Sequence, residues 1–173
     1  MYTGKLTIKE TDETDLMNTM NLWNNGEVTK YVGFPNGLGY SEEDIMNWFR
    51  KNQEIKFFKH FSIYSEEFGY CGETGYDTSK NEDEIISLDI KLLPSVHGKG
   101  IAEYALRFTI EQVKKDQAGK SVCVDPHMEN KSAIKLYKKL GFIEKPEPDY
   151  FKNIDYPDNI YMELLLEEYR CAN

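Results

Sequence analysis

An α+β domain built on a mixed, twisted sheet of about seven strands and four flanking helices is the fold this sequence predicts. Three observations predict it. Strand-like and helix-like runs follow in the order β-α-α-β-β-β-α-β-α-β-β along 173 residues, enough for one domain with a real core and too few for two ordinary ones. No internal repeat or low-complexity linker divides the chain, so residues 1–173 read as a single domain. Hydrophobic residues make up 40% and aromatics 13%, which excludes a disordered or fibrous class.

Each element has a local reason. Residues 5–10 (Lys-Leu-Thr-Ile-Lys-Glu) alternate as a strand does. Thr11 to Asp15 supply cap residues for a helix running to about Asn24. The Gly- and Pro-containing stretch from Val32 to Tyr40 reads as a loop. Ser41-Glu42-Glu43-Asp44 then forms a capping box for a second helix that carries Ile45, Trp48 and Phe49 on one face. Phe61–Tyr64, Gly69–Tyr76 and Glu84–Leu93 read as strands, with hairpin-like links around Glu66-Glu67 and Ser79-Lys80-Asn81. A helix from about Gly100 to Asp116 buries Ala102, Ala105, Leu106, Ile110 and Val113. Ser121–Val124 is a short buried strand, and Asn130–Leu140 a fourth helix with Gly141 as its stop. Phe142-Ile143 and Ile160–Leu166 supply the last strands, separated by an acidic, aromatic loop (Glu147 to Phe151, then Asp155-Tyr156).

Charge and cysteine content narrow the class. The net charge of −9 argues against nucleic acid as the main partner. Residues 91–140 carry an excess of Lys and Arg while the remainder is strongly acidic, a division that suits an anionic ligand held in one segment and a cationic one drawn to the other surfaces. Solvation of two helices by lysines accounts for part of that excess. No stretch approaches the roughly 18 apolar residues of a membrane span, and the first residues lack a signal-peptide core, so a cytoplasmic location is expected. The three cysteines, Cys71, Cys123 and Cys171, are far apart and suggest reduced thiols. His60, His97 and His127 lack metal-ligand spacing, so no metal is expected.

The most informative run is His97-Gly98-Lys99-Gly100-Ile101-Ala102, between an apolar strand and an amphipathic helix. Two glycines opening a helix present backbone N–H groups and the positive end of the helix dipole to an anion, a phosphate above all. Such a turn alone is common. Thirty residues later comes Asn130-x-x-Ala133-x-x-x-Tyr137-x-x-x-Gly141-Phe142. Together with Leu92-Leu93-Pro94-Ser95-Val96 ahead of the loop, these motifs closely resemble the GCN5-related N-acetyltransferase (GNAT) superfamily.

That resemblance implies acetyl-coenzyme A as the donor and an amine as the acceptor. It implies a pyrophosphate cradle made by His97, Gly98, Lys99, Gly100, Ile101 and Ala102, with His97 standing where the family has Gln or Arg. It further implies a strand ending at Leu92 and Leu93 that splays from its neighbour, freeing backbone groups for the pantetheine arm and the thioester carbonyl. Asn130 would hydrogen-bond that arm, capping its own helix at the same time. Tyr137, two helical turns after Asn130, would protonate the leaving thiolate.

An amine must lose a proton before it attacks, and a positioned carboxylate can take it. Asp89 interrupts the apolar run Ile86-Ser87-Leu88-Asp89-Ile90, and Asp125 ends the next strand. Both resemble acidic residues of aminoglycoside 6′-N-acetyltransferases, whose string Asp-Pro-x-x-x-Asn-x-x-Ala-Ile-x-x-Tyr-x-Lys-x-Gly-Phe is matched from Asp125 to Phe142; the match at Asp89 needs a one-residue gap. Glu73 is a further carboxylate able to hold a water. Asp89 and Asp125 read equally as an exposed edge residue and a turn residue.

The expected reaction is direct attack by a primary amine of a small polycation, such as an aminoglycoside or polyamine, within a ternary complex. No cysteine lies by the cofactor motifs with an activating histidine, which disfavours an acetyl-enzyme. Two alternatives stand beside it: a protein N-terminal or lysine acetyltransferase acting on a peptide amine, because Leu22 to Tyr31 resembles the ribosomal-protein-acetylating branch, and a non-catalytic acyl-CoA sensor. The resemblance leaves a homodimer open.

Overall fold

The computed structural model describes residues 4–77, 84–148 and 158–169. Side-chain caps start the first helices. Asp12 accepts from Thr14 N–H at 2.9 Å while Asp15 accepts from Asp12 N–H at 3.0 Å, and this box opens a 3-10 turn leading into α1 (Leu16–Trp23). Ser41 and Asp44 exchange the same pair of bonds at the start of α3 (Glu42–Asn52). Both boxes satisfy N–H groups that a helix start leaves without partners.

Between them lies a helix absent from the sequence reading, so five helices occur among the described residues where four were expected. This α2 (Gly26–Thr29) is a single turn, capped by the Asn25 side chain on Glu27 N–H at 3.0 Å. Four residues contain no apolar period to read, which is why hydrophobic patterning missed it.

The strands are β1 (Leu6–Glu10), β2 (Lys59–Ser65), β3 (Gly69–Asp77), β4 (Ile85–Leu92), β5 (Ser121–Val124), β6 (Ile143–Glu144) and β7 (Met162–Leu165). They form one sheet of order β1-β2-β3-β4-β5-β7-β6. Every neighbouring pair is antiparallel except β4 and β5, which are joined through α4 (Ile101–Asp116) and run parallel. Alternation along β4 divides the sheet into two faces. Ile86, Leu88, Ile90 and Leu92 face α4, whose Leu106, Ile110 and Val113 complete the core with Val122 and Val124. Each such fully buried side chain contributes about 1.5–3 kcal/mol. Ser87, Asp89 and Lys91 face the opposite way, toward the side where α1 and α3 pack through Leu16, Leu22, Trp23 and Ile45.

After α4 and β5, α5 (Lys131–Leu140) begins at Asn130 and ends at Gly141, which takes a φ of +99°. The hairpin link expected at Ser79-Lys80-Asn81, the thiol Cys171 and most of the acidic loop, Asp149 to Tyr156, lie outside the described residues.

Candidate active site

β4 and β5 stay together for only part of their length. Their register runs from Ile85 opposite Ser121 to Ser87 opposite Cys123, and β4 continues to Leu92. Leu88 to Leu92 therefore border an open seam where a neighbour would lie. Leu93 N–H donates to Cys71 C=O at 2.9 Å. Opposite residues in an antiparallel ladder alternate between bonded and non-bonded pairs, so the backbone N–H and C=O of Ile90 and Leu92 turn toward the seam. The His97 ring reaches Leu92 C=O through Nε2 at 3.2 Å.

Beyond Leu92 a 3-10 turn (Pro94–Val96) leads into the glycine loop. Gly98 and Gly100 hold φ of +74° and +83°, a region that side chains disfavour. A Cβ at Gly98 would meet no protein atom within 4 Å, so backbone conformation and the room above the loop call for glycine there. Gly100 is the N-cap of α4 and no side chain caps the helix, which leaves its first N–H groups directed outward. An uncapped helix start with two left-handed glycines thus lies beside an open strand edge, an arrangement suited to an anion. Lys99 sits at this loop with its ammonium 4.6 Å from the Phe68 ring centroid. Asn130 caps α5 by accepting from Ala133 N–H at 3.2 Å.

Tyr137 is buried, 8% exposed, on the inner face of α5. Burial raises its phenol above the ordinary value, and the negative charges of Asp89 and Asp125 act in the same direction. The hydroxyl therefore keeps its proton at neutral pH.

On the opposite face of the sheet lies a cleft of about 470 Å³. Its lining combines aromatic rings, among them Trp23, Trp48 and Phe58, with the carboxylates Asp77, Asp89 and Asp125 and the cationic side chains Lys59 and Lys91. Asp89 comes from β4 past its last pairing with β5, and Asp125 follows the end of β5, so the two carboxylates straddle the seam. Asn159 Nδ2 donates to Asp125 at 3.2 Å.

The cleft floor holds a network that no sequence motif announces. Register sets Glu73 directly opposite Lys91, with Ser62 on its other flank; in the next row Gly75 lies between His60 and Asp89. Glu73 is fully buried. Its Oε1 accepts from Trp23 Nε1–H at 2.5 Å and lies 3.4 Å from Lys91 Nζ, while Oε2 lies 3.0 Å from His60 Nε2. Burial alone would raise the Glu73 carboxyl; His60 and Lys91 outweigh it and hold the group below the usual range. Lys91 also pairs with Asp89, and His60 Nδ1 lies 2.8 Å from Thr11 Oγ1. Trp48 packs edge-on against both Trp23 and His60, at centroid distances of 4.7 and 4.9 Å.

The structure thus brings Asp89 and Asp125 to one cleft, and Leu92 and the loop from His97 to Ala102 to the end of the same seam. Glu73, read from sequence as a carboxylate for a water, takes the Trp23 indole N–H on Oε1 and has no hydrogen-bond partner among the described residues on Oε2, which lies beside His60. Trp23, His60 and Lys91 went unnoticed. The available signal was polar residues recurring in otherwise apolar strands.

Comparison with known proteins bears on the family and the fold. Residues 5–143 match the model of the acetyltransferase (GNAT) domain family. A spermidine N-acetyltransferase from Vibrio cholerae, solved with CoA and spermine, superposes with a TM-score of 0.80 at 21% identity, over 95% of this chain and 97% of that one. A GNAT-family acetyltransferase from Streptococcus pneumoniae gives 0.77 at 17% identity over 93% and 99%. The Salmonella typhimurium protein yncA, solved with its cofactor acetyl-CoA, gives 0.75 at 17% identity over 97% and 98%.

Proposed function

The chain belongs to the acetyltransferase (GNAT) family, and from that premise we propose that it acetylates a primary amine of a small aliphatic polycation, a polyamine. The observation that carries the acceptor class is the cleft at the seam, whose lining combines carboxylates with aromatic rings. Ammonium groups lie favourably on the former and a methylene stem on the latter. The similarity to a spermidine N-acetyltransferase supports the same class.

In this reading acetyl-CoA supplies the activated thioester. The glycine loop and the start of α4 hold its pyrophosphate through backbone N–H groups, and Asn130 contributes to the arm. Leu92 N–H, turned toward the seam, is the donor for the thioester oxygen. Asp89 and Asp125 orient the amine at the seam and accept the proton it must lose. Tyr137 donates its phenolic proton to the departing sulfur. The acetyl group passes directly to the amine. Burial pushes both described thiols up, Cys123 to about 12, and leaves neither a ready nucleophile.

The test is acetyl-CoA consumption across polyamines, aminoglycosides and peptides with free amines. Turnover is expected on polyamines. Tyr137→Phe should lower turnover about a hundredfold or more while leaving the acetyl-CoA KM near its wild-type value. Preference for peptides would favour a protein acetyltransferase, and tight acetyl-CoA binding without turnover on any amine would favour a sensor.

A further inference from the structure

Lys91 puts an alkylammonium of the protein's own inside the acceptor cleft. Its Nζ pairs with Asp89, lies 3.4 Å from Glu73 Oε1, and stands 5.8 Å from the centroid of the Trp23 ring. Two carboxylates and an aromatic ring are the surroundings expected for a bound substrate ammonium. The side chain is only 16% exposed, and backbone register places it opposite Glu73, so this position is built into the sheet. Lys59, the other lysine lining the cleft, is paired with Asp116 at 2.8 Å.

We propose that Lys91 is an internal cation that fills one ammonium subsite of the cleft, and so limits how many charges the acceptor can place there. The inference rests on the polyamine reading above. With Lys91 in place, a diamine can be held at the seam, but a longer polyamine that extends toward Glu73 must displace the lysine. Removing the charge uncovers Asp89 and Glu73 to a substrate ammonium. Glu73 keeps Trp23 and His60 as partners when Lys91 is gone, so the uncovered site stays built.

The experiment compares kcat/KM for putrescine, a diamine, and spermidine, a triamine, in the wild type, Lys91→Met, Lys91→Gln and Lys91→Arg. The spermidine-to-putrescine ratio should rise about tenfold in Lys91→Met, through a lower KM for spermidine and with the acetyl-CoA KM unchanged. Lys91→Gln, which keeps an amide donor for Glu73, should move the ratio in the same direction and serves if the methionine variant does not fold. Lys91→Arg should retain the wild-type ratio. A purely structural role would depress both amines alike and leave the ratio unmoved, and that result overturns the proposal. Calorimetric binding of spermidine separates this inference from the reading beneath it. A wild type that acetylates no amine refutes the polyamine function, while spermidine binding no tighter to Lys91→Met than to wild type refutes the internal cation.

Discussion

On the α4–α5 face of the sheet, the groups proposed to hold the pyrophosphate and the thioester belong to the backbone: the loop of Gly98 and Gly100, the uncapped start of α4, and Leu92 N–H at the seam. On the opposite face they belong to side chains, with Glu73, Lys91 and Asp89 on adjacent strands and His60 and Trp23 closing around Glu73. The two ligands of the proposed reaction account for the difference. A pyrophosphate is the same in every acetyl donor of this kind, and backbone N–H groups bind it without needing a particular side chain. An acceptor amine is what distinguishes one enzyme from another, and only side chains can encode its charge spacing. The contrast predicts that variants on the two faces fail in different ways.

The largest effect should come from Glu73→Ala. It leaves the Lys91 ammonium and the Trp23 N–H buried beside an empty volume, and breaking a buried charge pair costs about 3–5 kcal/mol. Urea unfolding measures it. A loss below about 1 kcal/mol would mean that the network behaves as a surface pair, and the two faces would no longer differ as described.

The same contrast decides what could be read from the sequence. Backbone sites leave a contiguous trace, since the glycines that permit the conformation must sit beside the helix they open; His97 to Ala102 were legible for that reason, as were the capping box at Ser41 and the stop at Gly141. The cleft floor leaves no such trace. His60, Glu73 and Lys91 become neighbours only once β2, β3 and β4 pair in one register, and Trp23 arrives from a helix. A one-residue slip in either hairpin would turn each of these side chains to the other face. Asp89 was legible because it interrupts an apolar run, but its partner Lys91 lies just outside that run, where a polar residue interrupts nothing. The turn α2 was invisible for the opposite reason, being too short for any period.

Gly100→Val should come next. A β-branched side chain at a φ of +83° costs about 1–2 kcal/mol in strain, and its methyl groups would occupy the space in front of the α4 amides. The acetyl-CoA KM should rise about tenfold or more, with spermidine binding by calorimetry unchanged. An equal loss on both ligands would show that the loop and the cleft do not act as separate sites.

The smallest effect, and the sharpest comparison, concerns acid stability. Both faces hold a glutamate below its ordinary value: Glu73 against burial, by His60 and Lys91, and Glu103 chiefly by its bond to Lys139, with Arg107 adding to it. A carboxyl whose folded pKa lies below its unfolded one stabilises the protein above the unfolded pKa, about 4.3 for glutamate. That contribution is lost as pH falls through the folded value. Stability should therefore decline below about pH 4.5, and Glu73→Gln should flatten the decline by removing one of the groups that titrates. Glu103→Gln should flatten it less, by about 0.5 kcal/mol, because the side chain of Lys139 is 62% exposed and its charge is screened by water and salt. High salt then separates the two. At about 1 M, with a Debye length near 3 Å, the effect of Glu103→Gln should vanish and that of Glu73→Gln persist, since Lys91, Trp23 and His60 together cover the Glu73 carboxylate in the wild type. If salt abolishes both, the cleft network is open to solvent, and Lys91 is then free to leave its carboxylates without a substrate to replace it.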